Sequence, residues 1–212
     1  MSFNKKGYLV IKEAIPKELA IFVYNYFLVK RQVSKTMFDE KYIAPFETIM
    51  GLPNGDEQVP GAYAHYGDIA MDTLMLRVQP IMEKKTKMKL IPTYSYARIY
   101  QKGSELKRHK DRFSCEVSTT MNLGGDNWSI FIEPSGKENK KGKKITLNPG
   151  DMLVYKGSEL EHWREPFDGD ECCQVFLHYN NAETPGSEKN MFDGRKHIGL
   201  PSYFRIEKNA TD

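Results

Sequence analysis

Between residues 94 and 179 the chain is a succession of short β-prone runs separated by turn residues, at 94–101, 115–123, 128–133, 144–147, 152–155 and 174–179. No helical pattern lies between them, so nothing supplies the crossovers a parallel sheet needs. The pattern points to an antiparallel sandwich or jelly roll. Ahead of it, Tyr8 to Ile11 reads as a strand, and Pro16 sits where a first helical turn tolerates a missing N–H. Leu19, Phe22, Val23, Tyr26 and Phe27 then recur at offsets of three and four, the stripe of a helix packed on something larger. A second helix is predicted from about Asp68 to Lys85, with Met71, Leu74, Met75, Val78 and Met82 on one face and a kink at Pro80. The two helices are expected to cover one outer face of the β-rich half.

Met37 to Gly67 is rich in Gly, Pro and aromatic residues and reads as a long loop, the kind of segment that forms a lid and orders over a site when substrate binds. The expected organisation is one domain over 1–212: an N-terminal strand, helices and lid over 1–92, a β core over 93–180, and a C-terminal extension over 181–212. The run GKENKKGKK at 136–144 reads as a solvated hairpin connection, with a polyanion contact as the other reading.

Charge and cysteine usage exclude some partners. Lys plus Arg at 31 against Asp plus Glu at 28 leaves +3, with both signs interspersed, so no nucleic acid is expected. Of three cysteines, Cys172 and Cys173 are adjacent, which disfavours a disulfide between them and fits a reducing, cytoplasmic setting. No run approaches the roughly 18 apolar residues of a membrane span, and the N-terminus carries no cleavage-site pattern, so a soluble protein with no membrane partner is expected. Oligomeric state is not written in the sequence.

The chemistry concentrates at His109-Lys110-Asp111. In an extended strand, alternate side chains share a face, so the imidazole and the carboxylate point the same way and Lys110 points away. His162 follows a Gly150-Asp151 turn and the strand Met152 to Tyr155, and a sandwich can bring it beside the first pair. Two histidines and one carboxylate on one side of a metal leave the opposite positions open, as in non-heme iron(II) sites, whereas zinc usually takes a closed or tetrahedral set. His65 in the expected lid and His197 in the tail read as incidental. His178, on the last core strand, is a candidate to line the site.

These residues resemble the iron(II)/2-oxoglutarate-dependent oxygenases of the prolyl-4-hydroxylase-like group over about Tyr94 to Tyr179. The matching positions are Tyr100, His109, Asp111, His162 and Pro166. Gly7 to Ile11 followed by Pro16 is similar to the opening of many such oxygenases. The resemblance implies a double-stranded β-helix of the jelly-roll, cupin-like kind, with Fe(II) held by His109, Asp111 and His162. It also implies 2-oxoglutarate as cosubstrate and O2 as oxidant, giving succinate, CO2 and hydrogen abstraction from a substrate. An intact Asp111 implies hydroxylation or a related oxidation rather than halogenation.

One departure is informative. The family's Lys or Arg about nine or ten residues beyond the distal histidine, which pairs with the far carboxylate of 2-oxoglutarate, is replaced here by Glu171 and Cys172. Another cation must serve. Arg164, two residues beyond His162 and on its face if the strand continues, is the first choice, and Arg98, which shares a strand face with Tyr94, Tyr96 and Tyr100, is the second. Along 117–123, Val117, Thr119, Met121 and Leu123 make one face and Ser118, Thr120 and Asn122 a polar one, expected to look inward, where Thr120 and Asn122 can meet the cosubstrate. The substrate is expected to be an amino-acid side chain, prolyl, peptidyl or free, or a small metabolite. The alternative is a non-catalytic cupin-like module that binds a metal or small molecule.

Overall fold

The computed structural model describes residues 3–138 and 140–205. Its elements run α1 (Phe3–Lys6), β1 (Tyr8–Ile11), α2 (Lys17–Asp39), β2 (Ala64–Tyr66), α3 (Ile69–Thr86), β3 (Leu90–Gln101), β4 (Leu106–His109), β5 (Val117–Gly125), β6 (Ile130–Ile132), β7 (Lys143–Ile145), β8 (Met152–Lys156), β9 (His162–Arg164) and β10 (Glu171–Asn181). All pairings are antiparallel, in a six-stranded sheet of order β1-β8-β5-β10-β3-β2 facing a four-stranded sheet of order β4-β9-β6-β7.

The helices pack on the outer face of the larger sheet. Ala20, Val23 and Phe27 of α2 and Met71, Leu74, Met75, Val78 and Met82 of α3 join Ile99, Val117, Met121, Leu123, Val154, Val175 and Leu177 in one buried cluster. This consumes the apolar face of β5 and turns Ser118, Thr120 and Asn122 into the space between the sheets, as the alternation required. Asp68 starts α3: its Oδ1 accepts from the Ala70 and Met71 amides at 2.9 and 3.1 Å, while its Oδ2 accepts from Tyr26 Oη at 2.7 Å and pairs with Lys30. That one carboxylate ties the two helices together.

Two boundaries differ from expectation. Helix α2 continues to Asp39, so the irregular segment begins at residue 40 and itself contributes β2. Helix α3 covers its expected range, Ile69–Thr86 with Pro80 inside it. Strand β3 starts at Leu90, ahead of Pro92, because Pro92 sits at a register shift opposite Tyr179 and beyond the reach of β2, where no partner needs its missing N–H. The C-terminal extension folds back as a turn over Glu188–Gly194, from which Asp193 accepts from both Arg112 Nη atoms at 2.7 Å and from Tyr66 Oη at 2.7 Å.

Candidate metal centre

Strand pairing within the smaller sheet makes the centre. His109 ends β4 and His162 begins β9, and the two are register partners. Asp111 lies two residues beyond the end of β4, not on it; its amide donates to the Gly157 carbonyl at 2.9 Å, which turns the carboxylate back toward the histidines. His109 Nε2 and His162 Nε2 stand 3.6 and 3.5 Å from Asp111 Oδ1, and the three ligand atoms lie within 4.8 Å of one another.

Each donor atom is aimed by a second contact. His109 Nδ1 donates to the Lys107 carbonyl at 2.7 Å and His162 Nδ1 to the Leu160 carbonyl at 3.0 Å, which leaves both Nε2 lone pairs facing the same point. Ser118 Oγ lies 2.9 Å from Asp111 Oδ2 and 2.9 Å from His178 Nδ1, so the carboxylate is steadied from β5. Burial pushes the Asp111 carboxyl up, but the charge and hydrogen bonds of His162 and His109 outweigh it and hold the group well below the usual carboxylate range.

Asp111, Cys115 and His178 form a second cluster on the same carboxylate. It is the poorer donor set. Burial pushes the Cys115 thiol up, it is 3.1 Å from Tyr94 Oη, and a protonated thiol is not a metal ligand. His178 is fixed to Ser118 and its pKa is pushed down to about 4 by burial, so it stands neutral beside the centre.

The triad opens onto a cavity of about 330 Å³ whose walls include Tyr94, Tyr96, Arg98, Tyr100, Leu106, Arg112, Tyr155, Phe176 and His178, closed on one side by Asp56 and Gln58 from the irregular segment. Sequence reasoning reached Tyr100, Arg98 and His178. It missed Asp56, Gln58, Arg112, Ser118 as the Asp111 contact, and Tyr155, which no motif marks.

Arg164 lies between the sheets, 1 % exposed, with Nη2 3.2 Å from both Thr120 Oγ1 and Gln174 Oε1, Nη1 on the Trp128 carbonyl, and Nε without a partner. No carboxylate pairs with it among the described residues, and burial pulls its pKa down. It does not itself line the cavity; its register partner Leu106 and its neighbours Tyr100 and Tyr155 do. Asn122 is also outside the cavity, its amide given to the Leu147 carbonyl at 2.8 Å and its Oδ1 unpartnered. Glu171, where the family cation was sought, faces α2 instead, bonded to Tyr24 and Arg31.

No family model matches the chain, and no curated protein matches it either. Solved structures do. A Pseudomonas putida prolyl-4-hydroxylase superposes with a TM-score of 0.55 at 16 % identity, over 84 % of this chain and 95 % of that one. HygX from Streptomyces hygroscopicus, with nickel, 2-oxoglutarate and hygromycin B bound, gives 0.56 at 13 %, over 85 % of each chain. A prolyl hydroxylase from Trichoplax adhaerens, in complex with a hypoxia inducible factor peptide fragment, gives 0.55 at 14 %, over 84 % and 86 %. The chain has the fold of these 2-oxoglutarate oxygenase structures, a double-stranded β-helix flanked by helices.

Proposed function

We propose that this protein is an iron(II)- and 2-oxoglutarate-dependent oxygenase that hydroxylates an amino-acid side chain or another small metabolite. The observation that carries the reading is the open triad: two imidazole nitrogens and one carboxylate, each aimed by a second hydrogen bond, with the cavity on their free side. His109, Asp111 and His162 would hold the metal. With iron, 2-oxoglutarate and O2 bound, the centre supplies oxidative decarboxylation coupled to removal of a substrate hydrogen.

The remaining work falls to the chain. A buried guanidinium without an anion is costly, and Arg164 is such a group in the middle of the barrel; the far carboxylate of 2-oxoglutarate is the partner it lacks. Thr120 and Gln174 would orient it. Because Arg164 does not line the cavity while its register partner Leu106 and its neighbours Tyr100 and Tyr155 do, this reading expects a side-chain movement when the cosubstrate enters. Tyr94, Tyr96 and Phe176 give the cavity apolar walls that exclude water from a reactive centre. The similar structures bind a peptide in one case and hygromycin B in another, so both small-molecule and peptide substrates belong to this fold.

The test is oxygen-dependent succinate formation from 2-oxoglutarate with Fe(II), followed by mass gain of one oxygen across a panel of metabolites and peptides. A protein that binds iron and 2-oxoglutarate but yields no succinate with any panel member is a binding module, and the proposal fails.

A further inference from the structure

We propose that Arg98 is a second anion site in the cavity, one that takes the carboxylate of the primary substrate, and that Asp56 fills it as an internal stand-in. The inference rests on the oxygenase reading for what the cavity does, though not for what Arg98 binds.

Arg98 projects from β3, a strand paired on both sides, and is 2 % exposed. Its guanidinium carbon lies 5.2 and 5.4 Å from the ring centres of Tyr96 and Tyr100, so the group is flanked by aromatic rings. Nη1 donates to Gln58 Oε1 at 3.2 Å and to Tyr100 Oη at 3.3 Å, Nη2 pairs with Asp56 Oδ2, and Nε is buried with no partner. The cation is therefore fixed, lines the cavity and keeps an unused donor.

Its partner is held differently. Asp56 is a quarter exposed and belongs to a small turn closed by the Gly55–Pro60 bridge and by the Gly61 amide on the Asn54 carbonyl at 2.8 Å. Gly55 and Gly61 sit at φ +74° and +80°, conformations that favour glycine. The carboxylate offers Arg98 only Oδ2, which Tyr96 Oη also contacts, while Oδ1 accepts from the Val59 amide at 2.9 Å. A free carboxylate entering side-on can take both Nε and Nη2, the two-bond geometry for which a guanidinium is built. The rigid member of the pair thus belongs to the barrel and the replaceable member to a surface turn.

Placement ties the site to the chemistry. Arg98 lines the same cavity as His109. Arg164 comes from the opposite sheet, so the two buried cations mark two anion positions, one for each reactant. A cavity of about 330 Å³ that must also admit the cosubstrate leaves room for a small carboxylic acid of amino-acid size rather than a folded surface. The substrate class assigned is therefore a small organic acid with its carboxylate on Arg98.

Propionate and propionamide are the probes, titrated by NMR into full-length Mn(II)-loaded protein saturated with 2-oxoglutarate under nitrogen. Removing the internal competitor should make Asp56→Asn bind propionate about tenfold tighter than wild type, with no response to propionamide, and Asp56→Asn combined with Arg98→Gln should lose the gain. In the unmodified protein, saturating propionate should speed hydrogen exchange at the Val59 amide, and propionamide should leave it unchanged. That measurement decides the matter if the variants fail to fold. Propionate affinity unaltered by Asp56→Asn, affinity that survives Arg98→Gln, or an Arg98→Gln defect that falls on 2-oxoglutarate instead would each overturn the assignment. Electron paramagnetic resonance of the Mn(II) reads the metal centre separately, so loss of the oxygenase reading and loss of this one give different results.

Discussion

His109 and His162 are register partners across β4 and β9, with ring centres 4.3 Å apart. Pairing two strands from distant parts of the sequence is thus what brings together two of the three proposed ligands, and Asp111 needs only the turn after β4 to join them. Removing any one ligand, by His109→Ala, Asp111→Ala or His162→Ala, should lower iron(II) affinity by more than about 100-fold, the upper end of what loss of a supporting contact costs. Equilibrium dialysis with Fe(II) under nitrogen measures it. His178→Ala should bind iron within about tenfold of wild type; the reverse ranking of His162 and His178 would move the third ligand to the second cluster.

Ser118 touches Asp111 Oδ2 and His178 Nδ1 at once. Ser118→Ala should therefore weaken iron binding by about 10- to 100-fold without changing the ligand set. The magnetic resonance spectrum of the bound metal should keep its wild-type type of coordination. Unchanged affinity would show that the hydroxyl does not position Asp111.

Arg164 predicts two effects of opposite sign. Arg164→Ala should raise the Michaelis constant for 2-oxoglutarate by about two to three orders of magnitude, since losing one member of a buried charge pair costs about 3 to 5 kcal/mol, while iron binding stays near normal. Arg164→Met, which removes a buried cation that has no counter-ion, should raise the melting temperature of the protein without cosubstrate. A Michaelis constant within about threefold of wild type, below roughly 0.7 kcal/mol, would take the anchor away from Arg164.

Acid sensitivity should centre on Asp68 and Asp193. Burial pushes both carboxyls up, but the nearby His65 imidazole and the charge and hydrogen bond of Lys30 at Asp68, and the bonds and charge of Arg112 at Asp193, hold both below the ordinary value of 3.8. The sign follows: a lowered folded-state value gives stability that is complete above 3.8 and is lost as pH falls toward the lowered value. Denaturant unfolding at a series of pH values from 5 downward should show stability falling below about pH 4. Asp68→Asn should flatten that fall, and an equally steep profile in the variant would remove Asp68 from the account.

The sequence carried the parts of the site that obey a period. His162 and Arg164 share a face because β9 is extended through both, and Ser118 and Thr120 point inward because their alternates Val117 and Met121 have helices to pack against. Irregular backbone was illegible. Asp111 was read as part of a strand, yet its direction comes from a turn bonded to Gly157. Asp56 meets Arg98 from a Gly- and Pro-rich turn that has no hydrophobic period of its own to fix its geometry. The β-prone run begins at Tyr94, whereas β3 begins at Leu90: Pro92 is tolerated within it because a register shift shelters it, and that shift exists only once β10 is paired.

The proposed role of His109, Asp111 and His162 is to hold an iron that turns over 2-oxoglutarate. It is tested most directly by release of labelled CO2 from 2-oxoglutarate labelled at C1, under air, with and without Fe(II), in wild type, His162→Ala and His178→Ala. Iron-dependent release matched mole for mole by succinate is expected in wild type, with none above background in His162→Ala and measurable release in His178→Ala. Release that survives His162→Ala, or no release from wild-type protein shown to hold Fe(II) and 2-oxoglutarate together with a bound substrate, would contradict it.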